Sequence, residues 1–420
     1  MGIPASISAM SSSSTPAPAD LRSDAGVISL VGLGHLISHF SQLLLAPLFP
    51  WLKDAFAVSY AQLGFLMTLF FVVSCAMQAA SGFLVDRYGP RAILFAGLGL
   101  IGVAAFGMAA ATSYEMLALC AVVAGAGNAV FHPVDFTLLN CKVSASRLGH
   151  AYSVHGLTGN LGWALAPALL VPLTLAYSWR VALVAAGVLV VAVMVVLWVW
   201  RAHLSLPQRP RAEAAATDAG DGSFDFLRIP SVWMCFVFFL LYAIVLSVVQ
   251  AFAPEAARQI HGVPVALAAV CVTVYMVASA AGIVLGGFLV ADPQRCERIM
   301  AAGMGVAALI ALAIGFASLP PLAVPALFGA MGFAAGLAGP SRDLIVKRST
   351  PDHATGRVYG VVYAGLDIGQ ALAAPLFGGL LDHHQYEGVW LGLVVFQGLL
   401  IFSAVNVRKV RRTARVPAGT

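Results

Sequence analysis

Four histidines and two aspartates stand inside otherwise apolar stretches of this chain, at spacings that place them on shared helical faces. His35 and His39 are i,i+4 neighbours and Gln42 follows at i+7, so one face of a helix there is polar. His132 and Asp135 are i,i+3 neighbours with Pro133 between them, a residue that kinks a helix without reversing it. His155 lies about a third of the way along a later apolar run, at a depth near that of His132. Asp367 sits mid-run in the second half with Gln370 one turn away. Ionisable side chains in lipid cost roughly 2.5–3.5 kcal/mol, so they usually face a cavity and mark an ion or substrate path. Histidine titrates near neutrality and burial brings carboxylates toward the same range, which suits both to carrying protons. Histidines with a carboxylate could also hold a transition metal. Their wide spacing over separate runs is not a compact metal motif, no cysteine stands beside them, and no metal site is assigned.

The elements that position these residues follow from composition. Of 420 residues, 60% are hydrophobic and 10% charged, whereas a soluble globule carries roughly 25% charged residues. Apolar runs of about 20 residues fit the hydrocarbon core, and helices satisfy their own backbone groups there. The runs predict spans near 27–51, 60–84, 92–111, 115–138, 149–175 and 180–200, then 231–252, 264–290, 299–317, 322–341, 356–381 and 388–407. The fold expected is therefore an all-α membrane protein, with twelve transmembrane helices in two six-helix bundles at 26–200 and 230–408. Residues 1–25, rich in Ser, Ala and Pro, read as a disordered cytoplasmic leader, 201–229 as a cytoplasmic linker and 409–420 as a basic cytoplasmic tail. Six cysteines lie within or at the ends of apolar segments with no CxxC pairing, so buried inert thiols are expected rather than a disulfide framework.

With the N-terminus placed inside, Arg87, Arg91, Lys142, Arg147, the linker arginines, Arg295, Arg298, Lys347, Arg348 and the basic tail fall on the inner face. Only Lys53, Arg180 and Arg258 fall outside. Basic residues in short loops stay cytoplasmic, which supports both the span count and a bacterial-type inner membrane location with both termini cytoplasmic. The net charge of +5 needs no nucleic acid partner and suits contact with lipid headgroups. An internal repeat supports two related halves: GHAYSVHGLTGNLGWALAP from Gly149 returns 207 residues later as GRVYGVVYAGLDIGQALAAP from Gly356. At this offset Asn160 matches Asp367, and Pro133 matches Pro340 one helix earlier.

The loop after span two reads Gly82-Phe-Leu-Val-Asp86-Arg87-Tyr-Gly89-Pro-Arg91. It resembles the loop between helices two and three of the major facilitator superfamily, in which the acidic residue latches the two halves on the cytoplasmic side. A carboxylate at a helix end gains from the dipole and from nearby arginine, and breaking that contact biases a rocking equilibrium. The second-half echo, Gly287-Phe-Leu-Val-Ala-Asp292, has altered spacing. Within the superfamily the first half resembles the fosmidomycin-resistance branch of drug:proton antiporters, through Gly34-His35, Phe131-His132-Pro133 and the Gly159-Asn160-Leu-Gly162 to Pro167 stretch. His39 stands where that branch tends to have an acidic residue, and Asp135 comes one residue later than its usual Glu. The resemblance implies that helices one and four face a central cavity flanked by helix five, where the histidines and Asp135 would converge.

The expected function is a proton-coupled exporter of a drug, siderophore or metabolite, working by alternating access as a functional monomer. It needs the proton gradient and no cofactor. Asp135, His132 and Asp367 are the proton-coupling candidates. Cavity candidates are His35, His39, Gln42, His155, Asn160, and the pair Tyr242 and Gln250, which share a helical face. Gly82, Asp86, Arg87, Gly89, Arg91, Pro133, Pro340, Arg342 and Asp343 are the latch and gate candidates. An uptake symporter for an organic anion, metal ion or metal chelate is the alternative. A membrane enzyme using His132 and Asp135 is more remote, since no second catalytic signature accompanies them.

Overall fold

The computed structural model describes residues 21–144, 146–206, 230–289, 296–349 and 355–415, without the side chains of 79, 231, 287–289, 296–297, 340–349, 355–363 and 404–415. Within them the chain is helical, with no strand. The first half comprises α1 (Leu21–Gln42), α2 (Phe49–Phe56), α3 (Tyr60–Tyr88), α4 (Pro90–Ala110), α5 (Tyr114–Asn128), α6 (Phe131–Lys142), α7 (Leu148–Ala176) and α8 (Trp179–Val199). The second comprises α9 (Pro230–Ser247), α10 (Ala253–His261), α11 (Val265–Leu289), α12 (Cys296–Phe316), α13 (Ala323–Ser349), α14 (Thr355–Asp382) and α15 (Tyr386–Arg415). Eleven segments are long and apolar enough to cross a membrane, with α1 and α2, α5 and α6, and α9 and α10 each counted as one. The shorter apolar stretch Ala323–Gly339 in α13 completes twelve. Val103, Val188, Leu309 and Phe402 are each more than half exposed on the outside of the bundle, as lipid-facing side chains are.

Three expected spans are interrupted. The first breaks after Gln42 and resumes through a 3-10 turn at Ala46–Leu48, where Pro47 and Pro50 cannot donate helical hydrogen bonds. The fourth breaks at Ala129 and Val130, because the Pro133 ring excludes the carbonyl of Ala129 from a regular turn. Pro133 thus stands in the first turn of a new helix rather than at a kink in a continuous one. The seventh passes through a π-helical turn, Val248–Phe252. Two end boundaries also differ from the expected ones. The helix of the first span starts at Leu21, inside the expected leader, because Asp24 ties its first turn to the α6–α7 loop. Asp24 accepts from Ser144 Oγ at 2.6 Å and from Arg147 Nε at 2.8 Å. At the other end α15 continues to Arg415, into the expected tail.

The halves meet along α3 with α14 and α7 with α11. One buried apolar cluster runs through both halves at the end that carries Phe49, Tyr60, Phe252 and Trp390. Of two further clusters, one is built from the first half, around Val27, Phe131 and Leu197, and the other from the second, around Val232, Met300 and Leu400. The halves are therefore joined at one end of the bundle and have separate cores at the other.

Candidate functional site

Glycines bring α7 onto α1. A side chain at Gly162 would run into the Leu36 carbonyl, and one at Gly159 would stand 2.6 Å from the His39 ring and 3.1 Å from His35 Nε2. The absent side chains let His155 reach across, and the break before α6 turns His132 and Asp135 toward the same space. Asp135 is fully buried, and His35 and His155 are 2% and 7% exposed. His35 Nδ1 and His155 Nε2 both lie 3.1 Å from Asp135 Oδ2. When ionised, that carboxylate only accepts, and both rings then donate to the one oxygen. The other oxygen, Oδ1, is buried without a hydrogen-bond partner.

The rings pack on one another. His35 and His155 stack with centroids 3.5 Å apart, His35 stands 5.4 Å from His132 and 4.3 Å from His39, and Phe136 covers His132 at 6.0 Å. Trp163 lies 4.1 Å from His39 and donates its indole N–H to Gln42 Oε1 at 3.0 Å. Five of the predicted side chains, His35, His39, His132, Asp135 and His155, thus come together, with Gln42 at the rim. His35, His132 and His155 each offer a ligand nitrogen within 4.8 Å of the others. Nitrogens on one tetrahedral zinc at about 2.0–2.1 Å stand roughly 3.4 Å apart. The rings would have to close on a cation before they could share it.

The other candidates lie elsewhere. Asn160 donates back to the Gly156 carbonyl of its own helix at 3.1 Å and stays outside the cluster. Asp367 lies on α14 beside Ser74 and Cys75 of α3. Gln250 occupies the π-turn, 2% exposed, with both amide atoms lacking a partner. Tyr242 faces Tyr275 of α11. Asp86 is exposed and pairs with no described side chain, Arg87 lies over the Tyr88 ring, and Arg91 donates to Ser205 Oγ at 2.7 Å. Gly89 takes a positive φ of 83°, which suits glycine, and Pro90 follows it at the start of α4. Gly82 has open space where a side chain would stand. The side chains of Pro340, Arg342 and Asp343 lie outside the described residues.

Sequence reasoning missed four features. Trp163 reads as an ordinary apolar residue, and Asp24 falls in the expected leader. Ser38, Ser74 and Asn128 form a buried hydrogen-bonded set between α1, α3 and α5, and only their polarity within apolar runs could have signalled it. Asp382, at the end of α14, accepts from the backbone N–H groups of Tyr60 and Ala61 at 2.7 and 2.8 Å, joining the two halves.

Comparison with known proteins agrees with this architecture. The chain is 27% identical over 201 residues to the fosmidomycin resistance protein of Escherichia coli (strain K12), a match covering 46% of this chain and about half, 48%, of that protein. It is 23% identical over 425 residues to the membrane sensor protein UhpC of Salmonella typhimurium, covering 92% of each. A crystal structure of a bacterial homologue of the human lysosomal transporter Spinster, in an inward-facing and unoccupied conformation, superposes with a TM-score of 0.75 at 16% identity, covering 95% of this chain and all of that one. The family profile of the Major Facilitator Superfamily matches residues 31–330 and again 247–419. A duplicated twelve-helix architecture, a polar cluster enclosed by three helices of one half, and these matches lead to one assignment: the chain is a multi-pass membrane transporter of the major facilitator superfamily.

Proposed function

We propose that this transporter is a proton-coupled exporter of a small molecule, with Asp135 as the group that exchanges the proton and His35, His132 and His155 as the shell that holds it. One observation carries the reading: Asp135 binds two histidines through Oδ2 while Oδ1 stays buried and open. A proton or a donor on the cargo can occupy Oδ1, and either one changes the charge balance of a site enclosed by three helices. Asp367, the repeat counterpart of Asn160, is a further proton-exchanging carboxyl in the second half. Export is the direction favoured by the likeness to a fosmidomycin resistance protein.

In this reading the joined end of the bundle faces outward and both termini lie in the cytoplasm of a bacterial-type inner membrane. Each elementary charge entering gains about 2.3 kcal/mol per 100 mV, so proton influx can drive uphill export. Asp86, with Gly82, Arg87, Gly89 and Arg91, re-forms a latch when the separate inner ends close. One chain holds the whole path, so the monomer is the working unit, and no cofactor is required.

The test uses everted membrane vesicles carrying a proton gradient read by a fluorescent pH probe. Fosmidomycin, followed by a panel of small anionic metabolites, dissipates the gradient in vesicles with the native chain and leaves it intact with Asp135→Asn. Equal dissipation by both proteins removes Asp135 from the coupling step.

A further inference from the structure

The histidine cluster has more ligand capacity than a single proton uses. His35 Nδ1 on α1 and His155 Nε2 on α7 aim at the same oxygen, Asp135 Oδ2, each at 3.1 Å. Ligand atoms on a tetrahedral zinc stand roughly 3.4 Å apart, so these two contacts already have the spacing of a coordination shell. The nitrogens that His35, His132 and His155 offer all lie within 4.8 Å of one another. Asp135 Oδ1 is buried without a hydrogen-bond partner. Three imidazoles and a carboxylate thus converge from α1, α6 and α7.

The charge of the cluster favours a cation. Among the described residues the ion pairs of Asp135 are with His35 and His155, and neither lysine nor arginine reaches it. A buried carboxylate is costly unless it is paired, coordinated to a metal or neutralised. Neutral imidazoles donate hydrogen bonds to it but bring no full charge. The ligand types then choose among cations: calcium and magnesium take oxygen ligands, whereas imidazole suits zinc, copper, iron and nickel. Asp135, His35 and His155 are buried and His132 is partly exposed, so His132 marks the side from which an ion enters.

We propose that His35, His132, His155 and Asp135 form a binding site for a divalent first-row transition-metal ion, which displaces any proton from the carboxyl. With the carboxylate ionised, the ring protons of His35 and His155 point at Oδ2. They pass to the other nitrogen of each ring, the metal takes the vacated lone pairs, and His132 swings in as the fourth ligand. The nitrogens close to about 3.4 Å by side-chain rotation, while the helices stay where Gly159 and Gly162 let them meet. Such a site goes beyond the proton-coupled reading and does not depend on it.

Cobalt(II) titrated into the full-length protein, free of any affinity tag and held in lipid nanodiscs, tests it. A single ion per chain is expected, with the strong visible absorption of four-coordinate cobalt, and zinc(II) should abolish that absorption by displacement. Asp135→Asn and His155→Gln should each weaken binding by about a hundredfold, and His132→Gln by about tenfold. His261→Gln, at the joined end, removes a ring bonded to the Ile314 carbonyl and should bind cobalt as the native chain does. Zinc-edge X-ray absorption of the zinc-loaded native protein needs no variant and should show imidazole nitrogens at about 2.0–2.1 Å. No four-coordinate absorption at saturating cobalt overturns the proposal. So does absorption that survives Asp135→Asn and His155→Gln, or that is lost in His261→Gln. If cobalt binds as expected while Asp135→Asn still dissipates the vesicle gradient, the metal site stands and the coupling role of Asp135 falls. Dissipation lost in Asp135→Asn, with no cobalt bound by the native chain, removes the metal site and keeps the coupling role.

Discussion

Thr68 and Thr273 make the same bond from equivalent places in the two halves. Thr68 Oγ1 donates to the Ala371 carbonyl at 2.8 Å, and Thr273 Oγ1 donates to the Ala164 carbonyl at 3.1 Å. The two acceptors lie 207 residues apart, the offset of the sequence repeat. Each bond crosses from one half to the other, so the interface rests on a duplicated pair of contacts on α3–α14 and α7–α11. Thr68→Val and Thr273→Val should each weaken the joined end by about 0.5–1.5 kcal/mol, and by similar amounts. Spin labels at Asp54→Cys and His383→Cys, both exposed at that end, would report the shift in a background lacking the native cysteines. A large effect from one threonine and none from the other would show that the bonds do not share the load.

Asp382 closes the same end more strongly. Its two oxygens accept two backbone N–H groups at the start of α3, and bonds to a charged acceptor contribute about 1.5–3 kcal/mol each. Asp382→Asn keeps the size but only one acceptor oxygen. The population with separated labels should rise about tenfold. An unchanged distance distribution would remove Asp382 from the closure.

Gly64 lets α3 and α14 touch, since a side chain there would enter the Ala374 carbonyl. Gly64→Ala should therefore wedge this contact open and slow transport at normal expression. Gly99→Ala, where nothing stands within 4 Å, is the matched control and should be silent. Equal transport by the two variants would contradict the close-contact account.

Gly159 plays the corresponding part under the histidines. The Gly159→Ala methyl meets the His39 ring at 2.6 Å and His35 Nε2 at 3.1 Å, so both rings must move. Overpacking of this kind costs about 1–3 kcal/mol. The variant should lose gradient dissipation in vesicles, with a lowered unfolding temperature and retained membrane insertion. Full activity would mean that the ring arrangement is not needed for transport.

Much of this architecture was legible because burial in lipid leaves a coarse signal. Apolar length marked the crossings, the repeat marked the halves, and polar residues too costly for lipid marked the cluster of His35, His39, His132, Asp135 and His155. Helix interruptions were harder to read, because hydropathy averages over a break and does not register the two residues lost at Ala129 and Val130. Asn160 shows a different limit. Its match to Asp367 in the repeat suggested a shared role, yet the amide satisfies itself on its own helix and the carboxyl cannot do so there. Asp382 escaped notice because its partners are backbone N–H groups, which every residue but proline carries and no residue type announces.

The 3-10 turn at Ala46–Leu48 and the π-turn at Val248–Phe252 meet at the joined end, where the rings of Phe49 and Phe252 stand 6.2 Å apart. A 3-10 turn climbs about 2.0 Å per residue, against about 1.5 Å for an α-helix, whereas a π-turn spreads extra residues over the same climb. The first crossing of one half is therefore locally stretched and that of the other locally shortened. Together they work as a vernier, setting the height at which two copies of one ancestral unit come level. A residue gained or lost at either turn would be absorbed as a change of pitch, leaving the histidines below it in register. In the descent of such duplicated carriers, these two turns are where single-residue insertions and deletions should accumulate.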